Sequence, residues 1–132
     1  MDLKINIADK SGKCVKKELK EEQASVFYNK KIGDKINGEL IDMPGYEFEI
    51  AGGSDYCGFP MRKDVQGILR KGILVSGKTV GNNYSRNGMR MRRTVAGNTI
   101  YNKTTQLNLK VLKYGSTPLI APEEKKAEEK KE

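Results

Sequence analysis

Apolar and polar positions alternate along most of the chain with the period of a β-strand. Leu3, Ile5 and Ile7 alternate with Asp2, Lys4 and Asn6, which predicts a strand with one buried face. The turn Ala8-Asp9-Lys10-Ser11-Gly12 follows, and Val15 and Leu19 flank a charged stretch that predicts a returning strand. Over Glu21–Asn29 the period changes. Ala24, Phe27 and Tyr28 recur at spacings of three and four, predicting one short helix with Glu21 and Glu22 in its first turn, where acids suit the helix dipole. Ile36 then leads into Asn37-Gly38, a strong hairpin signal, and Leu40 continues beyond it to a second turn at Met43-Pro44-Gly45. Tyr46, Phe48 and Ile50 alternate with Glu47 and Glu49 in a strand expected to end at Gly52-Gly53-Ser54-Asp55.

The second half reads the same way. Pro60 holds Phe59 extended. Ile68, Leu69, Ile73, Leu74 and Val75 form the most apolar run, expected as a strand bent or bulged at Gly72. Met91 to Val95 is a strand candidate, Gly97-Asn98 turns it, and Thr99-Ile100-Tyr101 starts another. Leu107, Leu109 and Val111 mark a last strand that closes near Gly115. The expected fold is mostly β: a small β-barrel-like domain with one short helix over residues 1–117, and a polar C-terminal tail over 118–132. Glu and Lys blocks in that tail leave no face to bury, so it is expected to be flexible or a frayed helix.

Composition narrows the function. With 132 residues, 36% apolar content and no Trp, the chain supports one modest core. Its net charge of +8 is unevenly placed. Residues 1–55 carry nine Lys against eleven acids, whereas residues 56–114 carry twelve Lys or Arg against the single acid Asp64. Such an asymmetry marks an interaction face for a polyanion, with an acidic protein or lipid surface as the alternatives. Cys14 and Cys57, 43 positions apart and outside any CxxC pair, are read as free thiols in a reducing compartment. Without a long apolar run or a secretory signal, a cytoplasmic protein with no membrane segment is expected.

The cationic residues concentrate in Gly77 to Gly97, GKTVGNNYSRNGMRMRRTVAG, where Lys78, Arg86, Arg90, Arg92 and Arg93 occur without an acid. Together with Arg62, Lys63, Arg70 and Lys71 they form the candidate RNA-binding set, their role being charge-assisted hydrogen bonds to phosphates. On a strand, Arg90 and Arg92 point one way and Arg93 the other. Tyr84, inside the loop, either stacks on an exposed base or seals the loop; Tyr56 offers the same choice, with packing favoured. No enzyme is expected. There is no His to act as a base or metal ligand, two isolated Cys cannot build a zinc site, and Asp55 and Asp64 show no sign of a paired-carboxylate device. The Gly77-Lys78-Thr79 tripeptide echoes the end of a phosphate-binding loop and is read as a chance match. No cofactor, metal or small-molecule substrate is expected.

Three stretches together resemble a known family. YEFEIAGGSDYCGFPM (Tyr46 to Met61), GMRMRRTVAGNTI (Gly88 to Ile100), and Asn6-Ile7-Ala8-Asp9 with Leu107-Asn108-Leu109-Lys110-Val111 are similar to the archaeal and eukaryotic small-subunit ribosomal protein family S6e, in its short archaeal form. The resemblance covers roughly residues 1–115. Tyr56-Cys57 stands where the family usually has Lys-Gln, and Ala96 where it has an Arg before Gly97. The resemblance implies a β-barrel-like domain docked on small-subunit ribosomal RNA, with neighbouring ribosomal proteins and a structural role in subunit assembly and integrity. It implies Arg62, Arg90, Arg92 and Arg93 as the matching basic positions, and no counterpart of the long phosphorylated extension of eukaryotic members. A free RNA-binding or RNA-chaperone module is the competing reading, and an acidic-protein adaptor the third.

Overall fold

The fold is assembled on its last strand. In the computed structural model, which describes residues 2–83 and 86–119, β1 (Leu3–Ala8) and β2 (Cys14–Leu19) form an antiparallel hairpin with Leu3 opposite Leu19 and Ala8 opposite Cys14. A second antiparallel pair joins β3 (Lys35–Asn37) to β4 (Glu47–Asp55). The long strand β7 (Thr104–Lys113) lies between them, parallel to β1 and antiparallel to β4, so the order is β2-β1-β7-β4-β3. The expected alternation holds. Leu3, Ile5, Ile7, Phe48, Ile50, Leu107, Leu109 and Val111 are buried, and intervening positions face outward.

Helix α1 (Glu21–Ala24) continues as a 3-10 turn over Ser25–Phe27, and this short piece drives Ala24 and Phe27 into the core. Burying a side chain the size of Phe27 contributes about 1.5–3 kcal/mol, more than four helical residues could supply by themselves. No helix among the described residues is long and apolar enough to cross a membrane.

The mostly β class stands, but the strands do not close into a ring. β2 and β3 are the two edges of an open five-stranded sheet, and β5 (Lys71–Ser76) with β6 (Arg90–Val95) form a separate two-stranded ribbon. An isolated parallel bridge between Met61 and Ala96 ties the base of the ribbon to the segment after β4.

Four local expectations are corrected. Asn37-Gly38 is not a two-residue hairpin turn; Gly38–Ile41 is a 3-10 turn that plugs Ile41 into the core. Gly38 is required because a Cβ there would lie 2.1 Å from the Met43 carbonyl oxygen. The glycines of Gly52-Gly53-Ser54-Asp55 do not end their strand. They continue β4 beside β7 through a register shift between Ile50 and Gly52, and a Cβ on Gly53 would sit 2.3 Å from the Gln106 carbonyl oxygen. Ile68 and Leu69 precede the ribbon instead of sharing its strand, and both are exposed. Thr99 to Tyr101 is not a strand: Ile100 is buried, and Thr99 makes only an isolated bridge to Lys31. Of the tail expected over 118–132, residues 120–132 lie outside the described residues.

Candidate nucleic-acid interface

The ribbon presents the basic motif. Register pairs Ser76 with Arg90, Leu74 with Arg92 and Gly72 with Thr94, and cross-strand partners share a face. Those six residues form the outer face, and all are exposed. Val75, Met91, Arg93 and Val95 lie on the inner face, where Val75 and Val95 are buried and Met91 and Arg93 half-buried. Arg92 lies across Gly72, and Arg92 Nη1 donates to the Gly72 carbonyl oxygen at 3.4 Å. No ion pair among the described residues holds Arg90 or Arg92. Arg93 is half-buried, with Nη2 directed at the Met91 sulfur 3.8 Å away.

The loop at the ribbon's tip is pinned by Asn82. Thr79 and Asn82 exchange both backbone hydrogen bonds, at 3.0 and 2.9 Å, and Asn82 Nδ2 donates to the Gly77 carbonyl oxygen at 2.8 Å. Positive φ at Gly77 and Gly81 makes this turn possible. Lys78 and Arg86 are exposed. Arg86 and Arg90 line one hollow of about 320 Å³ with Ser76, Gly77, Asn87 and Gly88. Tyr84 lies outside the described residues.

At the phosphate-loop spacing, Gly72 supplies the upstream glycine, so Gly72 to Thr79 carries the complete pattern and not merely its end. The structure explains why it is still a chance match. Gly72 to Ser76 are extended and paired with β6, and Gly77 leads into a reverse turn. A phosphate loop instead wraps its amides around the anion at the start of a helix.

Two other predicted arginines are tied to the protein itself. Arg62 makes a bidentate pair with Asp64, both bonds at 2.8 Å, and Nη1 reaches the Val80 carbonyl oxygen at 3.2 Å. The hydrogen bonds to Asp64 raise the Arg62 pKa, and those from Arg62 lower that of Asp64. Arg62 therefore neutralises the one acid of the basic region and braces the tip loop. Arg70 Nε donates to Asp55 Oδ2 at 2.5 Å. Its guanidinium carbon lies 4.8 Å from the Tyr56 ring centroid and 4.9 Å from that of Phe59. The bond to Asp55 raises the Arg70 pKa further above its ordinary value. Lys71 is exposed at the ribbon's base opposite Val95, and exposed Lys63 reaches toward Gly33 of the main domain. The structure thus groups Arg86, Arg90 and Arg92 along the ribbon with Lys78 on the tip loop, and sets Arg62, Lys63, Arg70, Lys71 and Arg93 apart from that face.

The sequence reading missed the buried polar residues that hold this arrangement. Asp55, whose side chain is fully buried, accepts from the Cys57 and Phe59 backbone amides at 3.0 Å each, besides Arg70. Asn98, also buried, donates to the Lys63 carbonyl oxygen and to Gln66 Oε1. Gly97 beside it is obligatory, because a Cβ would lie 1.8 Å from the Gly67 carbonyl oxygen. The described residues contain no cluster of His, Cys, Asp or Glu able to hold a metal.

With that geometry in view, the comparison with known proteins is decisive. The family model for ribosomal protein S6e matches residues 3–122. The chain belongs to the ribosomal protein S6e family. This S6e chain is 46% identical over 121 residues to the small ribosomal subunit protein eS6 of Thermoplasma acidophilum, covering 91% of the chain and 94% of that protein. It is 45% identical over 117 residues to eS6 of Nanoarchaeum equitans (88% and 85%) and 42% identical over 126 residues to eS6 of Picrophilus torridus (95% and 98%). The S6e match spans both the five-stranded sheet and the ribbon.

Proposed function

We propose that the ribbon is the part of this S6e protein that grips small-subunit ribosomal RNA, with Arg90, Arg92 and Arg86 taking phosphates and Lys78 assisting from the tip loop. Through its family the chain is a structural constituent of the small ribosomal subunit. The single observation that carries the RNA contact is the outer ribbon face, where two exposed arginines stand two residues apart with no carboxylate of the described residues against them. Guanidinium groups placed so can each give two parallel hydrogen bonds to a phosphate. Arg62 and Arg70 serve the same surface indirectly, the first by bracing the tip loop and the second by shaping the turn after β4. Lys63, Lys71 and Arg93 add positive potential around it. Residues 1–117 form the RNA-binding domain and 118–132 a charged tail. The protein works in the cytoplasm within the assembled particle, beside other ribosomal proteins, and catalyses nothing.

The test is sedimentation of small subunits from cells carrying a tagged chain. Stoichiometric recovery through a high-salt wash is the expected result. Broad recovery on many RNAs that salt erases would instead mark a free RNA-binding module and refute the constituent role.

A further inference from the structure

A second surface, away from the ribbon's outer face, is built from the turn after β4 and the loop before β5. Tyr56, Ile68, Leu69, Arg70, Tyr101 and Lys103 enclose a cleft of about 420 Å³. Leu69 is 76% exposed, Tyr56 46% and Ile68 40%, so three uncovered apolar side chains gather on this cleft. The cleft is shaped in advance. The Tyr56 amide donates to the Lys103 carbonyl oxygen at 2.9 Å, and Asp55 locks the turn and the Arg70 guanidinium beside the Tyr56 ring. Lys103 Nζ lies 5.5 Å from the same ring.

The geometry points to a binding site for one unpaired RNA base, stacked against Tyr56 and the Leu69 side chain, with Lys103 on the adjoining phosphate. This rests on the reading of the chain as an RNA-binding protein and adds a site to it. The electrostatics choose the occupant. Asp55 is fully buried and already bonded to Arg70, so the cleft offers an incoming group the positive charge of Lys103 and no available carboxylate. An anionic polymer with flat apolar side groups satisfies both the charge and the apolar wall. Extruded bases are commonly held by aromatic rings and guanidinium planes. Lys103 is exposed on a flexible stem and can leave the ring for a phosphate, whereas Arg70 is fixed.

The test measures binding of deproteinised small-subunit ribosomal RNA to the full chain and to Tyr56→Ala, Tyr56→Phe, Leu69→Ser and the Arg90→Ala/Arg92→Ala double variant. Tyr56→Ala should weaken binding by about 5- to 150-fold, the range for losing one stacked base, with the dependence on salt unchanged. Tyr56→Phe should bind within about twofold of the parent, since the ring is kept. Leu69→Ser should weaken binding measurably, and its exposure makes it a safe variant should Tyr56→Ala disturb the turn. If Tyr56→Ala and Leu69→Ser bind like the parent while the double variant has a flatter salt dependence, the cleft proposal fails and the ribbon reading survives. If the double variant also binds like the parent, both fail. Loss of a protein neighbour from subunits carrying Leu69→Ser, with RNA affinity intact, would make the cleft a protein dock and overturn the proposal.

Discussion

Replacing Arg90 and Arg92 together by alanine isolates the outer face of the ribbon. Both side chains are exposed, and two strand residues separate them by about 7 Å along the ribbon, so each can meet its own phosphate. Neither is held by a carboxylate of the described residues, so the change leaves no buried charge behind and should alter stability by no more than about 0.5 kcal/mol. Binding is another matter. Each phosphate neutralised contributes about 0.7 to 0.9 to the slope of log affinity against log salt, so the double variant should be flatter by about 1.4 to 1.8. Between about 50 and 200 mM salt the parent should therefore lose roughly tenfold more affinity than the variant. Filter binding to small-subunit ribosomal RNA across that range measures it, with Lys16→Ala on the edge strand β2 as a single-charge control. Parallel lines for parent and double variant would refute the assignment of phosphates to this face.

Arg62→Ala should flatten the same slope less than Arg90→Ala does, because Arg62 is already shared with Asp64 and Val80; equal or greater flattening would show that the pair opens on RNA. Gly53→Ala places a methyl 2.3 Å from the Gln106 carbonyl oxygen at the centre of the sheet and should cost about 1–3 kcal/mol in urea unfolding. Phe27→Ala empties a fully buried position and should cost about 3–5 kcal/mol by the same assay. Asp9 accepts hydrogen bonds from Ser11 and Tyr114, which hold its pKa down to about 2 in the folded chain. A depressed carboxyl stabilises fully above its unfolded value near 3.8 and loses that contribution as pH falls through about 2. The melting-temperature gap between the parent and Asp9→Asn should therefore close between about pH 4 and pH 2, and a constant gap would refute the linkage.

Strands with one buried face were legible because alternation needs only near neighbours. Leu3, Ile5 and Ile7 announce β1, and Leu107, Leu109 and Val111 announce β7. Glycines were harder, since the same residue serves a turn and a close approach. Gly38, Gly53 and Gly97 are dictated by the oxygens of Met43, Gln106 and Gly67, none of them adjacent in sequence. Ile68 and Leu69 read as strand because they are apolar, yet the Gly67 carbonyl seated on Gly97, also accepting from the Thr99 amide, holds that segment as a loop. At the site, the opposite facing of Arg90 and Arg93 followed from strand period alone. The capture of Arg70 by Asp55, fifteen residues earlier, depends on how β4 and the ribbon are set together, which no local pattern encodes.

The central place of β7 has a consequence for how the protein is made. Its partner β1 leaves the translating ribosome nearly a hundred positions before its own residues 104–113. Until they emerge, β1–β2 and β3–β4 are two orphan hairpins, each too small to persist in water. The β5–β6 ribbon is an isolated pair of the same kind, so its arginines too are held in register only once the sheet has its keystone. Nascent chains arrested before Thr104 should accordingly be digested by protease throughout residues 3–55, and resistance there would show that the sheet needs no such keystone.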